Sequence, residues 1–167
     1  MESRIPHGWA EGLAGLDWGA AMTFVPTNYL VILAAAVAAW IFGAVYYTVL
    51  SKPWLAAVGM TAAEMKRRQA GGMGKFKSIA PFILSFVAEL IMAWVLAGVL
   101  GHLGPGQVTL RNGLISALFL WFGFILTTIA TNNAYPGRKP MLTVIDAGHW
   151  LGVMLIMGAI VGTFGPK

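Results

Sequence analysis

Three ionisable side chains stand inside runs of apolar residues, where such groups are costly to keep: Glu89, Asp146 and His149. Asp146 and His149 are three residues apart, which puts them on one face of a helix. Glu89 lies one helical turn before Ala93, so it shares a face with small residues and should point at another helix. An isolated charge at the centre of a bilayer costs roughly 2.5–3.5 kcal/mol on insertion scales. Groups retained there must be paired, be neutral, or do work. Two uses fit. A carboxyl beside an imidazole can relay a proton or pass a cation. The same groups can also form a hydrogen-bonded clasp between helices. Thr127, Thr131 and Asn132 fall at a similar depth and are expected to join the cluster in either case. One polar cluster, without a series of polar residues to line a channel, favours the clasp.

Other chemistries find less support. The chain has no cysteine, which removes thiolate metal sites, disulfides and cysteine nucleophiles. An Asp–His pair and a distant Glu are too few ligands for a metal centre. No G-x-S-x-G, Walker A or H-E-x-x-H pattern is present. The residues therefore suggest no catalytic set, no metal and no cofactor, and a non-enzymatic protein is expected.

The elements that must position these groups are written in the composition. Hydrophobic residues make up 58% of the 167 residues and charged ones 10%. An average soluble domain carries about 25% charged residues. Four apolar stretches are each about 20 residues or slightly longer, enough to cross ~30 Å of hydrocarbon. They run over residues 29–50, 79–100, 114–135 and 141–164. Lipid offers no partner for backbone groups, so these are expected to be helices. The fold expected is all-α, an integral membrane four-helix bundle spanning residues 28–167. The breaks carry turn residues: Ser51-Lys52-Pro53, Gly101 to Gly106, and Pro136 to Pro140. The last two connections are short, so the second to fourth spans should be antiparallel neighbours. Residues 1–27 hold acidic residues and no long apolar run, so they do not read as a cleaved signal. They read as an extension that rests on an interface or a partner, anchored by Trp9 and Trp18.

Each span has small residues at spacing four. They are Ala35, Ala39 and Gly43; Ala93 and Ala97; Gly123, Thr127 and Thr131; and Gly148 with Gly152, then Gly158 with Gly162. Small faces let helix backbones approach, and they could serve this bundle, a second copy or a larger complex. Tyr47, Trp54 and Tyr135 lie near span ends and suit interfacial anchoring. Trp40, Trp94 and Trp121 are deeper, where each indole N–H needs an acceptor. The connection 51–78 is basic. Thr61 followed by Glu64 fits a capping box, so a short helix over about 62–70 is expected. Lys66, Arg67, Arg68, Lys75 and Lys77 in this loop suit anionic lipid headgroups. The net charge of +5 therefore points to a membrane surface and not to nucleic acid. Counting Lys and Arg by side places the loop 51–78 in the cytoplasm and both termini on the other side.

Several stretches resemble the bacterial membrane family DUF1761. They are Asn28-Tyr29-Leu30, Gly43 to Tyr47 followed by Trp54, Met92 to Ala97, Trp121 to Phe124, Pro136 to Pro140, Ile145 to Trp150, and Met157 to Gly162. The resemblance covers residues 28–165 and implies a four-helix membrane protein with no assigned activity. Two departures stand out. This chain has Asp146 where the family pattern implies Asn, and residues 1–27 extend beyond the family core. Taken together, the expectation is a multi-pass protein of a bacterial inner membrane. It would act as an accessory or scaffolding subunit that packs with itself or a larger complex. The alternative is a small proton, cation or solute translocator using the Glu/Asp/His cluster. The sidedness is directly testable because the chain has no cysteine of its own. A single cysteine introduced beside Lys167 should react with an impermeant thiol reagent added outside, and one beside Lys75 should not.

Overall fold

The computed structural model describes residues 28–70 and 75–166, and of residues 68–70 and 75–78 the backbone alone. Trp9 and Trp18 lie outside the described residues, as do the side chains of Arg68, Lys75 and Lys77. The described chain is helical. Its elements are α1 (Tyr29–Val49), α2 (Ser51–Val58), α3 (Ala62–Ala70), α4 (Lys75–Gly101), α5 (Leu110–Leu120), a π segment (Trp121–Leu126), α6 (Thr127–Ala134) and α7 (Pro140–Phe164). Four helical stretches are long and apolar enough to cross a membrane: α1, Ile79–Gly101 of α4, the continuous Leu110–Ala134, and α7.

The ends follow local chemistry. Asn28 caps α1, its Oδ1 accepting from the backbone N–H of Leu30 at 3.1 Å and Val31 at 3.4 Å. Thr61 and Glu64 form the reciprocal box that opens α3: Thr61 N–H donates to Glu64 Oε2 at 2.7 Å, and Glu64 N–H to Thr61 Oγ1 at 3.2 Å. Thr109 caps α5 through the N–H of Asn112. That places the start of the third span at Leu110, four residues before the sequence expectation. Pro140 occupies the first turn of α7, where a missing N–H costs nothing. At the expected break α1 ends at Val49, but Ser51-Lys52-Pro53 does not continue as a loop. It opens α2, because Pro53 sits in a first helical turn, and Gly59 at φ 79° closes that helix.

The helix α7 is the centre of the bundle. It packs against α1, α4 and α5, and its first turns also meet α2. Its glycines make this possible. Against α5, a Cβ on Gly113 would strike the backbone carbonyl of Gly158, and one on Gly162 would strike that of Thr109. Against α1, large groups fill glycine notches in both directions. The Phe42 ring sits over Gly152, the Tyr46 hydroxyl over Gly148, and the His149 ring over Gly43. Ala35, Ala39 and Ala93 are fully buried in the same core, with Ala97 packed against it.

The third span departs from its expected face. Gly123, Thr127 and Thr131 are exposed, and a Cβ on Gly123 would meet nothing within 4 Å. The inward stripe is Gly113, Ala117 and Trp121 instead. Gly123 lies two residues past Trp121, about 200° around the helix. The helix begins at Leu110, so Gly113 lies within it and heads the inward stripe.

These contacts decide the sign of glycine substitutions. Replacing helical Gly by Ala in open space stabilises by roughly 0.5–1 kcal/mol, while overpacking a close contact costs roughly 1–3 kcal/mol. Gly113→Ala and Gly158→Ala should therefore lower the thermal unfolding temperature in detergent. Gly123→Ala should leave it unchanged or raise it.

Candidate functional site

The polar groups of the apolar helices fall into two separate constellations. The first is a clasp at the end of the bundle where α1 leaves, α2 crosses and α7 begins. Asp146 lies in the second turn of α7 and is half-buried. Its Oδ1 accepts from the Tyr47 hydroxyl of α1 at 3.0 Å and from the Trp54 indole of α2 at 3.1 Å. Beside it, the Tyr46 hydroxyl donates to the Ile145 carbonyl at 2.9 Å. Lys139 Nζ donates to the Ala56 carbonyl at 2.8 Å and ties the start of α7 to α2. Beneath these bonds, Ala57, Leu142 and Ile145 form a small core of their own. Three helices thus converge on one carboxylate.

The second constellation is a cleft between α1, α4 and α7, of about 620 Å³. Gly43 and Tyr47 of α1, Ser85 and Glu89 of α4, and His149 and Trp150 of α7 line it, with Trp40 and Phe82 on its walls. Glu89 is only 2% exposed and His149 5%. Glu89 Oε2 and His149 Nδ1 are buried and have no hydrogen-bond partner among the described residues. Most buried polar atoms in folded proteins do have one, so each exception calls for an explanation. His149 is instead enclosed by rings. Its centroid lies 4.7 Å from that of Tyr47, 5.0 Å from Trp150 and 5.6 Å from Tyr46, and it stacks on Phe42 at 6.2 Å. The hydroxyls of the cleft are committed locally. Ser85 Oγ donates to the Phe82 carbonyl at 2.9 Å and accepts from the Trp40 indole at 3.1 Å. Thr48 and Ser51 donate back along the chain, to Ala44 and Thr48 carbonyls.

The expected single cluster is therefore divided. Glu89 and His149 share the cleft, while Asp146 belongs to the clasp. Tyr47 joins the two, with its hydroxyl on Asp146 and its ring against His149. Thr127, Thr131 and Asn132 belong to neither; all three are exposed. Thr127 Oγ1 bonds back to the Gly123 carbonyl at 2.8 Å. Their neighbour Asn133 points inward instead and donates to Thr143 Oγ1 at 3.1 Å. Thr127 and Thr131 share the outward face of the third span with Gly123, which turns them away from the cluster.

Tyr47 and Trp54 were expected at an interface and are held by Asp146, whereas Tyr135 is 90% exposed. Of the deeper tryptophans, Trp40 reaches Ser85, and Trp121 donates to the Ala147 carbonyl at 2.8 Å. Trp94 faces outward. The sequence did hold a signal for Tyr47: it follows Gly43 at spacing four, on the face already assigned to packing. Lys66 and Arg67 of α3 are exposed. Among the described residues, no three His, Asp or Glu side chains stand together as a metal site would require.

The clasp makes a graded prediction. Asp146→Ala leaves a tyrosine hydroxyl and an indole N–H without their acceptor, which should cost about 1–3 kcal/mol of stability. Asp146→Asn keeps a carbonyl oxygen at the same place and should lose much less. Thermal unfolding of the two variants in detergent, followed by tryptophan fluorescence, gives the comparison.

No curated protein and no solved structure matches the chain. One family does: its sequence model, described as a protein of unknown function, matches residues 30–162, which takes in the clasp, the cleft and all four long helices. The chain thus belongs to the DUF1761 family.

Proposed function

We propose that this is a non-enzymatic, multi-pass protein of a bacterial inner membrane whose work is done in the α1–α4–α7 cleft, where it binds and passes a proton or a small cationic solute. The observation that carries this reading is the pair of buried atoms without partners, Glu89 Oε2 and His149 Nδ1, lining one cleft. A clasp would have bonded these groups to each other or to a neighbouring helix, as it bonds Asp146. In hydrocarbon an ionisable group retained without a partner is best explained by a ligand or proton that it meets.

Position supports the same reading. Glu89 is ten residues into the Ile79–Gly101 stretch and His149 nine residues into α7. At ~1.5 Å per residue both lie about 15 Å from the end at which α1 leaves, near the middle of a bilayer. With the basic loop in the cytoplasm and both termini outside, the cleft leads from the midplane toward the cytoplasmic face, past Thr48 and Ser51. Lys66 and Arg67 then rest among anionic headgroups on that face.

A second reading, an accessory subunit or homo-oligomer, has one observation in its favour. The third span is the least enclosed of the four and turns Gly123, Thr127, Thr131 and Asn132 outward. Small and polar residues facing lipid suit another helix. The other small-residue faces are used inside the bundle. A cysteine at Gly123 that forms disulfide-linked species in native membranes would favour this reading, and one that stays monomeric would weigh against it.

The cleft reading is tested by flux. In proteoliposomes loaded with a pH-sensitive dye, the wild type should move protons under an imposed potential. Glu89→Gln and His149→Ala should fall to the level of protein-free vesicles with folded yield unchanged, and Asp146→Asn should keep its flux. Full flux in Glu89→Gln would remove the basis for this proposal.

A further inference from the structure

Given that the cleft is the working site, its walls narrow what enters. We infer that it takes a monovalent organic cation with an aromatic or other apolar body. This deepens the cleft reading above and rests on it.

Charge comes first. Among the described residues, Glu89 is the one carboxylate that lines the cleft, and no Lys or Arg lines it. Asp146 is held outside it by Tyr47 and Trp54. The site therefore attracts positive charge and offers an anion no counter-ion. A divalent metal ion needs several oxygen or nitrogen ligands, and here one carboxylate and one imidazole converge.

Size and surface come next. A volume of about 620 Å³ suits a drug-sized molecule. A bare ion would leave most of it unfilled. Four aromatic side chains face the cleft: Trp40 and Tyr47 from α1, Phe82 from α4 and Trp150 from α7. Aromatic faces attract cations, most strongly where water is excluded. They also give an apolar body the contact that a hydrated ion cannot use.

Hydrogen bonding excludes the main competitor. A sugar or peptide needs several free donors and acceptors. The hydroxyls of Thr48, Ser51 and Ser85 already donate to backbone carbonyls, and the Trp40 indole donates to Ser85. What remains among the described residues is a carboxylate, an imidazole, the acceptor lone pairs of Thr48 and Ser51, and π faces, and no free hydroxyl donor.

The test uses tetraphenylphosphonium, which is permanently charged and aromatic, and tetraphenylborate, which has a similar shape and the opposite charge. Equilibrium dialysis of the full chain in detergent should show saturable binding of the former and none of the latter. Glu89→Gln and Trp150→Leu should each weaken binding by about tenfold or more. A wild-type measurement guards against variants that misfold. A hydrophobic carbodiimide should modify the Glu89 carboxyl, and tetraphenylphosphonium should protect it in a concentration-dependent way. No saturable binding, equal binding of the borate, or no protection would overturn the inference. If these fail while Glu89→Gln still abolishes proton flux, the ligand class is wrong and the cleft reading stands. If flux is also unaffected, both fall.

Discussion

The close approach of α7 to its neighbours is the constraint on which the rest of the bundle depends. Lipid gives apolar helices no hydrophobic reason to associate, so contact has to come from packing and from polar bonds. Here glycines provide the packing. Gly158 and Gly162 bring α7 against the backbone of α5, and Gly148 and Gly152 receive Tyr46 and Phe42 from α1. A helix approached this closely on two sides has little freedom to rotate. Its rotation in turn decides where every polar group on it points.

Asp146 and His149 illustrate the consequence. They are less than one turn apart on α7, yet they meet different surroundings. Asp146 lies toward the end of the bundle, where α2 crosses and can supply Trp54. His149 lies three residues further into α7, where its ring sits against Gly43 of α1 and packs on the rings of Tyr47 and Trp150. The crossing helix α2 makes the difference. It begins at Ser51, directly after α1 ends, with Pro53 in its first turn. A carboxylate with two good donors is a structural tie. Glu89 Oε2 and His149 Nδ1 have no such tie among the described residues.

The two constellations are coupled through Tyr47, whose hydroxyl serves the clasp and whose ring forms part of the cleft wall. The clasp thus holds one wall of the cleft in place. It fixes a rigid aromatic surface beside His149 by a bond whose other end is shared with Trp54. The outward face of the third span stands apart from both. Its polar residues bond back to their own helix or face outward, and the π segment Trp121–Leu126 sits where Trp121 reaches across to the Ala147 carbonyl.

The sequence by itself determined the four long helices, their approximate ends and the capping box of Thr61 with Glu64. Those depend on hydropathy, length and side chains within a few residues of one another. It also marked Glu89, Asp146 and His149 as exceptional, because charge in an apolar run is visible without a fold. Tertiary structure alone decided how these groups divide. Helical periodicity gives the angle between two residues of one helix but not which neighbour that angle faces, and small residues are equally at home against a helix or against lipid. In the third span both Gly113 and Gly123 are small enough for a close contact, and only the neighbouring helix α7 decides that Gly113 makes it. The clasp needed donors from residues 92 and 99 positions away in sequence, and no local pattern carries such a distance.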